Sequence, residues 1–166
     1  MAFTVVPSDV EELTAGDPHE VAMENARRKA AAVPGDPVLG VDTLVALDGR
    51  IYGKPRDEAQ ARATLGVLAG RTHQVVSGVA VSPPMRTAVA VTDVTFRDLD
   101  GAWIDWYVGL GEWRGRAGGY AIQGRGAALV REIRGDYLNV VGLPVPTLLD
   151  LLPFLLQPAD RGAPLR

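Results

Sequence analysis

Apolar positions along the chain recur with two different periods, and the changes between them mark out the elements. Phe3 to Pro7 reads as a short strand, followed by an acidic turn at Asp9-Val10-Glu11-Glu12. From Asp17 the pattern becomes helical. Asp17 can cap, Pro18 takes the first helical position and Glu20 the third. Met23, Ala26, Ala30 and Val33 then recur at helical spacing, which predicts a helix ending at Pro34-Gly35. Asn25 and Lys29 lie four apart on another face of that helix. Further on, Asp57 caps a second helix with Gln60 three residues later, and Ala61, Leu65 and Leu68 form its core stripe before Gly70 ends it.

The stretch from Val38 to Pro55, VLGVDTLVALDGRIYGKP, organises the first half of the chain. One apolar run (Val38, Leu39, Val41) ends at Asp42-Thr43, and a second spans Leu44 to Leu47. Asp48-Gly49 signals a two-residue hairpin turn, because both positions require positive φ. The return arm, Arg50 to Tyr52, stops at Gly53-Lys54-Pro55. Asp42 is thereby expected at a strand junction and Lys54 just past the far end of the hairpin. Two readings are open: solvated charges on a surface hairpin, or opposite charges facing one open site suited to a metal-bound polyphosphate.

A strand is expected from Gln74 to about Ser82, stopped by Pro83-Pro84, and an antiparallel neighbour from Thr87 to Leu99, where Val89, Val91, Val94 and Phe96 alternate. Trp103, Ile104, Tyr107 and Val108 predict a short helix with an aromatic core stripe. A glycine-rich segment comes next, with Gly115, Gly118, Gly119, Gly124 and Gly126 around Tyr120-Ala121-Ile122-Gln123. It is neither a Walker A loop nor a dinucleotide fingerprint. Leu129 to Ile133 predicts a strand, Gly135-Asp136 a turn, Tyr137 to Val141 another extended run, and Thr147 to Leu156 a C-terminal helix. The expectation is one domain over residues 1–157 and a flexible tail over 158–166.

Composition narrows the chemistry. The 166 residues are 47% hydrophobic and 22% charged, those of an ordinary globular chain able to bury a core. A net charge of −3 argues against a nucleic-acid surface. With no cysteine, thiolate metal sites and a cysteine nucleophile are excluded. His19 and His73 form no HExxH pair, and no serine sits in a GxSxG elbow. Leu148 to Leu156 is far short of the ~20 apolar residues of a membrane span, and Met1 opens no signal-peptide pattern; a cytoplasmic location is expected. The carboxylates Glu12, Asp42 and Asp136 and the cations Lys29, Lys54, Arg71 and Arg116 remain. Carboxylates that hold Mg²⁺ and cations that neutralise phosphate suit phosphoryl chemistry.

Four motifs in order, VLGVDTLVALDGRIYGKP, LAGRTHQVVSGVAV, AGGYAIQGRG and IRGDYLNVVGLP, resemble the Maf (septum formation protein) family of nucleoside triphosphate pyrophosphatases over about Phe3 to Leu152. The resemblance implies an α/β fold, a mixed twisted sheet with flanking helices forming two lobes around a cleft, similar to the inosine triphosphate pyrophosphatases. It implies hydrolysis between the α and β phosphates with a divalent cation, Mg²⁺ or Mn²⁺. By position, Asp42 would be the water-activating base or a metal carboxylate, and Glu12 would assist at the metal. Lys29 and Lys54 would bind phosphates, with Thr43, Arg71, Thr72 and Arg116 as further substrate contacts. Gln123 would meet the base.

Asp-Thr at Asp42-Thr43 and Ile-Gln-Gly at Ile122-Gln123-Gly124 resemble the branch that takes dTTP and UTP, rather than the branch associated with 7-methyl-GTP. An amide matches the donor and acceptor of a uracil or thymine imide edge. Arg116 stands where the family commonly has lysine. Family members usually open with a strand and a Ser-x-Ser-Pro-Arg-Arg loop, whereas Phe3 corresponds to the second family strand. The expectation is that restoring that segment would raise stability and activity. The resemblance leaves open a homodimer, and a second function: a non-catalytic nucleotide-binding or cell-division regulatory relative. No nucleic-acid or membrane partner is expected.

Overall fold

The computed structural model describes residues 3–156. Helix α1 (Pro18–Ala32) begins where Asp17 accepts hydrogen bonds from the backbone N–H groups of His19 and Glu20. Strand β1 (Val38–Leu47) turns at Asp48 (φ 52°) and Gly49 (φ 74°) into β2 (Arg50–Tyr52), the left-handed pair that a two-residue hairpin requires. Helix α2 (Glu58–Leu68) starts at the Asp57 cap, which accepts from Gln60 N. Strands β3 (Thr72–Ser82) and β4 (Arg86–Phe96) form the longest pairing, followed by α3 (Gly101–Gly109), β5 (Val130–Arg134), α4 (Tyr137–Val141) and α5 (Val145–Leu151).

The α/β class is as expected: one five-stranded sheet, ordered β2-β1-β3-β4-β5, with helices on both faces. Every pairing among the described residues is antiparallel, where a mixed sheet was expected. Side chains alternate along each strand. Leu44, Ala46 and Val76 meet Val21 and Ala22 of α1 on one face. On the other, Val45, Val75, Val94 and Phe96 pack with Leu65 and Leu68 of α2, Tyr107 of α3, and Tyr120.

Several local expectations are corrected. Phe3 to Pro7 forms no strand and stays exposed, since no neighbouring strand among the described residues pairs with it. Asp42 is not at a junction: β1 runs unbroken through it. On α1, Ala26 and Ala30 are buried as expected, but Met23 is exposed and Asn25 takes its place inside. Tyr137 to Val141 is helical, because Asp136 caps it by accepting from Leu138 N and Gly142 (φ 123°) closes it. The C-terminal helix begins at Val145 and stops at Leu151, since Pro153 disfavours helical geometry at Leu152. The tail 158–166 lies outside the described residues. No helix among those described is long and apolar enough to cross a membrane.

Candidate active site

Adjacent strand residues point to opposite faces, so Asp42 and Thr43 should not share a site. They do, because β2 pairs only with Val45–Leu47 and leaves the β1 edge from Val38 to Leu44 uncovered by it. A cleft of about 260 Å³ wraps round that edge. Lys29 and Asp42 line it from the α1 side, and Thr43, Val45 and Val75 from the other face. Lys54, Arg116, Tyr120 and Gln123 close it, with α4 contributing Val140 and Val141.

On the α1 side, buried Asp42 is held at both oxygens. Lys29 Nζ donates to Oδ1 at 2.6 Å, and Asn25 Nδ2 donates to Oδ2 at 2.9 Å. Lys29 Nζ also reaches Glu12 Oε1 at 2.7 Å and approaches Val41 O at 3.5 Å. Asn25, at 2% exposure, bonds the main chain of Leu13 as well: Oδ1 accepts from Leu13 N at 2.8 Å and Nδ2 donates to Leu13 O at 3.0 Å. Asn25 and Lys29 share a helix face because they lie one turn apart. The hydrogen bond from Lys29 holds the Glu12 carboxyl below its usual range, against burial, with the charges of Lys29 and Lys54 helping. Burial opposes the Lys29 charge, yet its bonds to Asp42 and Glu12 outweigh that and raise its pKa.

On the other side, glycines bring main chain against main chain. Gly118 (φ 67°) donates to Gly53 O at 3.1 Å, and a Cβ there would stand 2.7 Å from a Val45 methyl. This contact joins the segment carrying Arg116 to the one carrying Lys54. Buried tyrosines anchor the chain just beyond Gly119: Tyr107 OH accepts from Ala121 N, and Tyr120 OH lies 2.9 Å from His73 Nε2. Gln123 is exposed at the next turn, which Glu112 stabilises by accepting from Arg125 N.

Of the residues anticipated, Lys29, Asp42, Thr43, Lys54, Arg116 and Gln123 line the cleft, and Glu12 joins through Lys29. Arg71 and Thr72 do not line it. Arg71 pairs with Asp48 at the tip of the β1–β2 hairpin, and Thr72 bonds Thr95 across the sheet. Asp136 is the cap of α4. Thr43 Oγ1 is taken up by Ser77 Oγ at 2.7 Å and by Gly142 O at 3.4 Å. Asn25 was not anticipated as a site residue; its position one turn before Lys29 was the available signal. No group of three or more histidine or acidic side chains that could hold a metal occurs among the described residues.

Fold and cleft together define an α/β protein whose cations surround an ordered carboxylate, a site suited to an anionic, phosphate-bearing ligand. Comparison with known proteins places it further. The Maf-like protein family matches residues 1–154. A protein named dTTP/UTP pyrophosphatase from Pyrococcus furiosus is 43% identical over 156 residues, covering 89% of this chain and 82% of the relative. Proteins of the same name from Anaeromyxobacter dehalogenans and Symbiobacterium thermophilum are each 46% identical, covering 92% and 90% of this chain and 82% and 81% of the relatives. The chain belongs to the Maf family.

Proposed function

We propose that this protein hydrolyses dTTP and UTP between the α and β phosphates, releasing the monophosphate and pyrophosphate. The observation that carries the reading is the ordered Asp42 carboxylate in a cleft that also presents Lys54, Arg116 and Gln123. The names of the relatives supply the substrate class.

In this reading Lys54 and Arg116 neutralise the phosphate chain, and Arg116 can address two oxygens at once. Asp42 accepts the proton of the attacking water; its orientation is fixed by Lys29 and Asn25, so none is lost in reorganising it. The proton goes to the carboxylate, the water oxygen bonds to phosphorus, and the bridging oxygen leaves with pyrophosphate. Gln123 presents its amide to the imide edge of the pyrimidine. Lys29 is already engaged by two carboxylates, so its part is to hold Asp42 and Glu12 beside the phosphates. Glu12 and Asp42 are the residues that would hold a divalent cation. Two carboxylates fit Mg²⁺ in the mode where substrate phosphates and water complete its shell. When bound, such an ion supplies charge neutralisation and lowers the pKa of coordinated water. A cytoplasmic setting, where free nucleotides are found, goes with this reading.

The test is product analysis with the purified chain on dTTP, UTP, GTP and 7-methyl-GTP, with Mg²⁺, with Mn²⁺ and with chelator. Monophosphate and pyrophosphate in equal amounts, fastest from dTTP and UTP, are expected. Release of orthophosphate would sink the bond assignment. Tight dTTP binding with no turnover would favour the non-catalytic reading.

A further inference from the structure

We propose that Asn25 is the positioning residue that sets both carboxylates of the cleft, acting through Asp42 directly and through Leu13 on Glu12. The inference rests on the proposed hydrolysis only for its kinetic readout. All the hydrogen-bonding groups of the Asn25 amide that the geometry engages go to the site: one to the Asp42 carboxylate and two to the peptide groups of Leu13. Both Leu13 groups belong to the residue next to Glu12, so the amide fixes the chain that carries Glu12. The segment from Phe3 to Gly16 has no regular secondary structure, and Phe3 and Val5 are exposed. Among the described residues, Asn25, the Arg28 bond to Glu11 O at 3.2 Å and the Lys29–Glu12 ion pair are therefore the polar ties that hold this segment to α1, and Asn25 is the one that grips its main chain at both N–H and C=O.

A buried asparagine in a helix flank facing a sheet would otherwise be costly. Alanine or leucine serves such a position with no polar group to satisfy. Here the amide does what an apolar residue cannot. It gives Asp42 Oδ2 a neutral donor, leaving Oδ1 to Lys29, so the carboxylate plane is held at both ends. It also accepts from Leu13 N with Oδ1, an acceptor that has no hydrogen to give a carboxylate. Rotating the amide by 180° would put oxygen against carboxylate and against Leu13 O, so the assignment of Oδ1 and Nδ2 is forced by the partners.

Two variants separate the two duties. Asn25→Asp keeps the acceptor for Leu13 N but loses the donor shared by Asp42 and Leu13 O. Asn25→Leu loses all three bonds at similar volume. For a positioning residue, both should lower kcat for dTTP by tenfold or more while KM changes less than threefold. Amide hydrogen exchange should show Leu13 released at least tenfold in Asn25→Leu and protected in Asn25→Asp, with Ala26 and Ala30 unchanged in both.

A folded Asn25→Leu protein with kcat within threefold of the parent would overturn the proposal. So would a loss of activity that accompanies a uniform rise in exchange along α1, which is the mark of a merely structural role. If the parent hydrolyses no nucleotide, the proposed function fails and the crystal structure of Asn25→Leu decides alone. Displacement of Asp42 and Glu12 from Lys29 supports positioning; retention of both contacts refutes it.

Discussion

The two faces of the sheet reach the same cleft by different means. On the α1 face the packing is small and close. A Cβ on Gly78 would lie 2.1 Å from Ala22 O, and one on Gly40 would lie 2.3 Å from Ala26 O. Helix backbone therefore rests on strand backbone, and Asn25 and Lys29 are carried to Asp42 with little slack. On the opposite face Tyr107, Phe96, Leu65, His73 and Tyr120 fill the space with bulk, and the site residues hang from turns above them. The first face fixes a carboxylate. The second supports a segment whose side chains Arg116 and Gln123 stay exposed. In the proposed function, the chemistry that needs one orientation falls on the closely packed side, and the recognition that must admit and release a ligand falls on the side of exposed turns.

The largest effect should come from the centre of the close-packed face. Asp42→Asn keeps an acceptor for Asn25, loses the one for Lys29 and removes the proposed base, so turnover of dTTP should fall about 10³-fold, about 4 kcal/mol of transition-state stabilisation. Melting temperature and far-ultraviolet circular dichroism should show the fold intact. Near-normal turnover would take Asp42 out of the mechanism.

Gly78→Ala probes the packing itself. The added methyl meets backbone, which cannot rotate away, so the destabilisation should lie at about 3 kcal/mol, the upper end of overpacking costs. Urea denaturation measures it. A change below about 1 kcal/mol would mean that α1 is free to shift and that the two faces differ little in rigidity.

The bulky face has its own signature in pH. Burial lowers the His73 pKa to about 4, whereas an unfolded histidine takes a proton near 6.5. The native state thus excludes a proton that the unfolded state binds. Stability from this source is complete above pH 6.5 and is lost as pH falls towards 4, by up to about 3 kcal/mol. His73→Gln retains a polar end for Tyr120 and should flatten the difference between urea midpoints at pH 7 and pH 4.5. Parallel curves for parent and variant would show that His73 does not carry it.

For recognition, Gln123→Glu exchanges amide donors for a carboxylate. Handling of dTTP and UTP should weaken by about 2 kcal/mol relative to general triphosphate binding. Comparing dTTP, UTP, GTP and 7-methyl-GTP on both proteins gives the answer; an unchanged ranking removes Gln123 from the base.

The elements closed by local chemistry are legible in the chain. Asp17 and Asp57 announce their helices because each accepts from backbone N–H groups within three residues of itself, and Asp48-Gly49 its hairpin because both adopt the positive φ that the turn requires. Tyr137 to Val141 is ambiguous in sequence because a short apolar run fits either a strand or a helix turn; the flanking cap Asp136 and Gly142 hold the information. The cleft's membership is legible only through the motifs of the resemblance. No local pattern says that Asp42 and Thr43, on opposite faces of β1, meet one cavity, since that depends on how far β2 extends. Asn25 is hidden for a similar reason: its burial comes from partners at Leu13 and Asp42, distant in sequence, and a polar residue off the apolar stripe reads as solvated.

Arg71 gives the smallest expected effect and the clearest separation of motif from geometry. Its motif neighbour His73 is buried beneath Tyr120, which lines the cleft, so proximity in sequence suggests a role there. Its guanidinium, however, bonds Asp48 at 2.6 Å at the hairpin tip, with the two side chains 46% and 72% exposed. Asp48 at the tip lies six positions beyond Asp42 along the strand, which at about 3.3 Å each is roughly 20 Å, beyond the reach of an arginine side chain held at the tip. An exposed pair of this kind stabilises by less than about 1 kcal/mol, and salt screens it. Arg71→Ala should therefore leave kcat and KM for dTTP within twofold and shift the urea midpoint barely, whereas Arg116→Ala in the cleft should raise KM at least tenfold. A matching rise in KM for Arg71→Ala would bring the hairpin tip into the substrate path and require that this end of the sheet fold over the cleft when nucleotide binds.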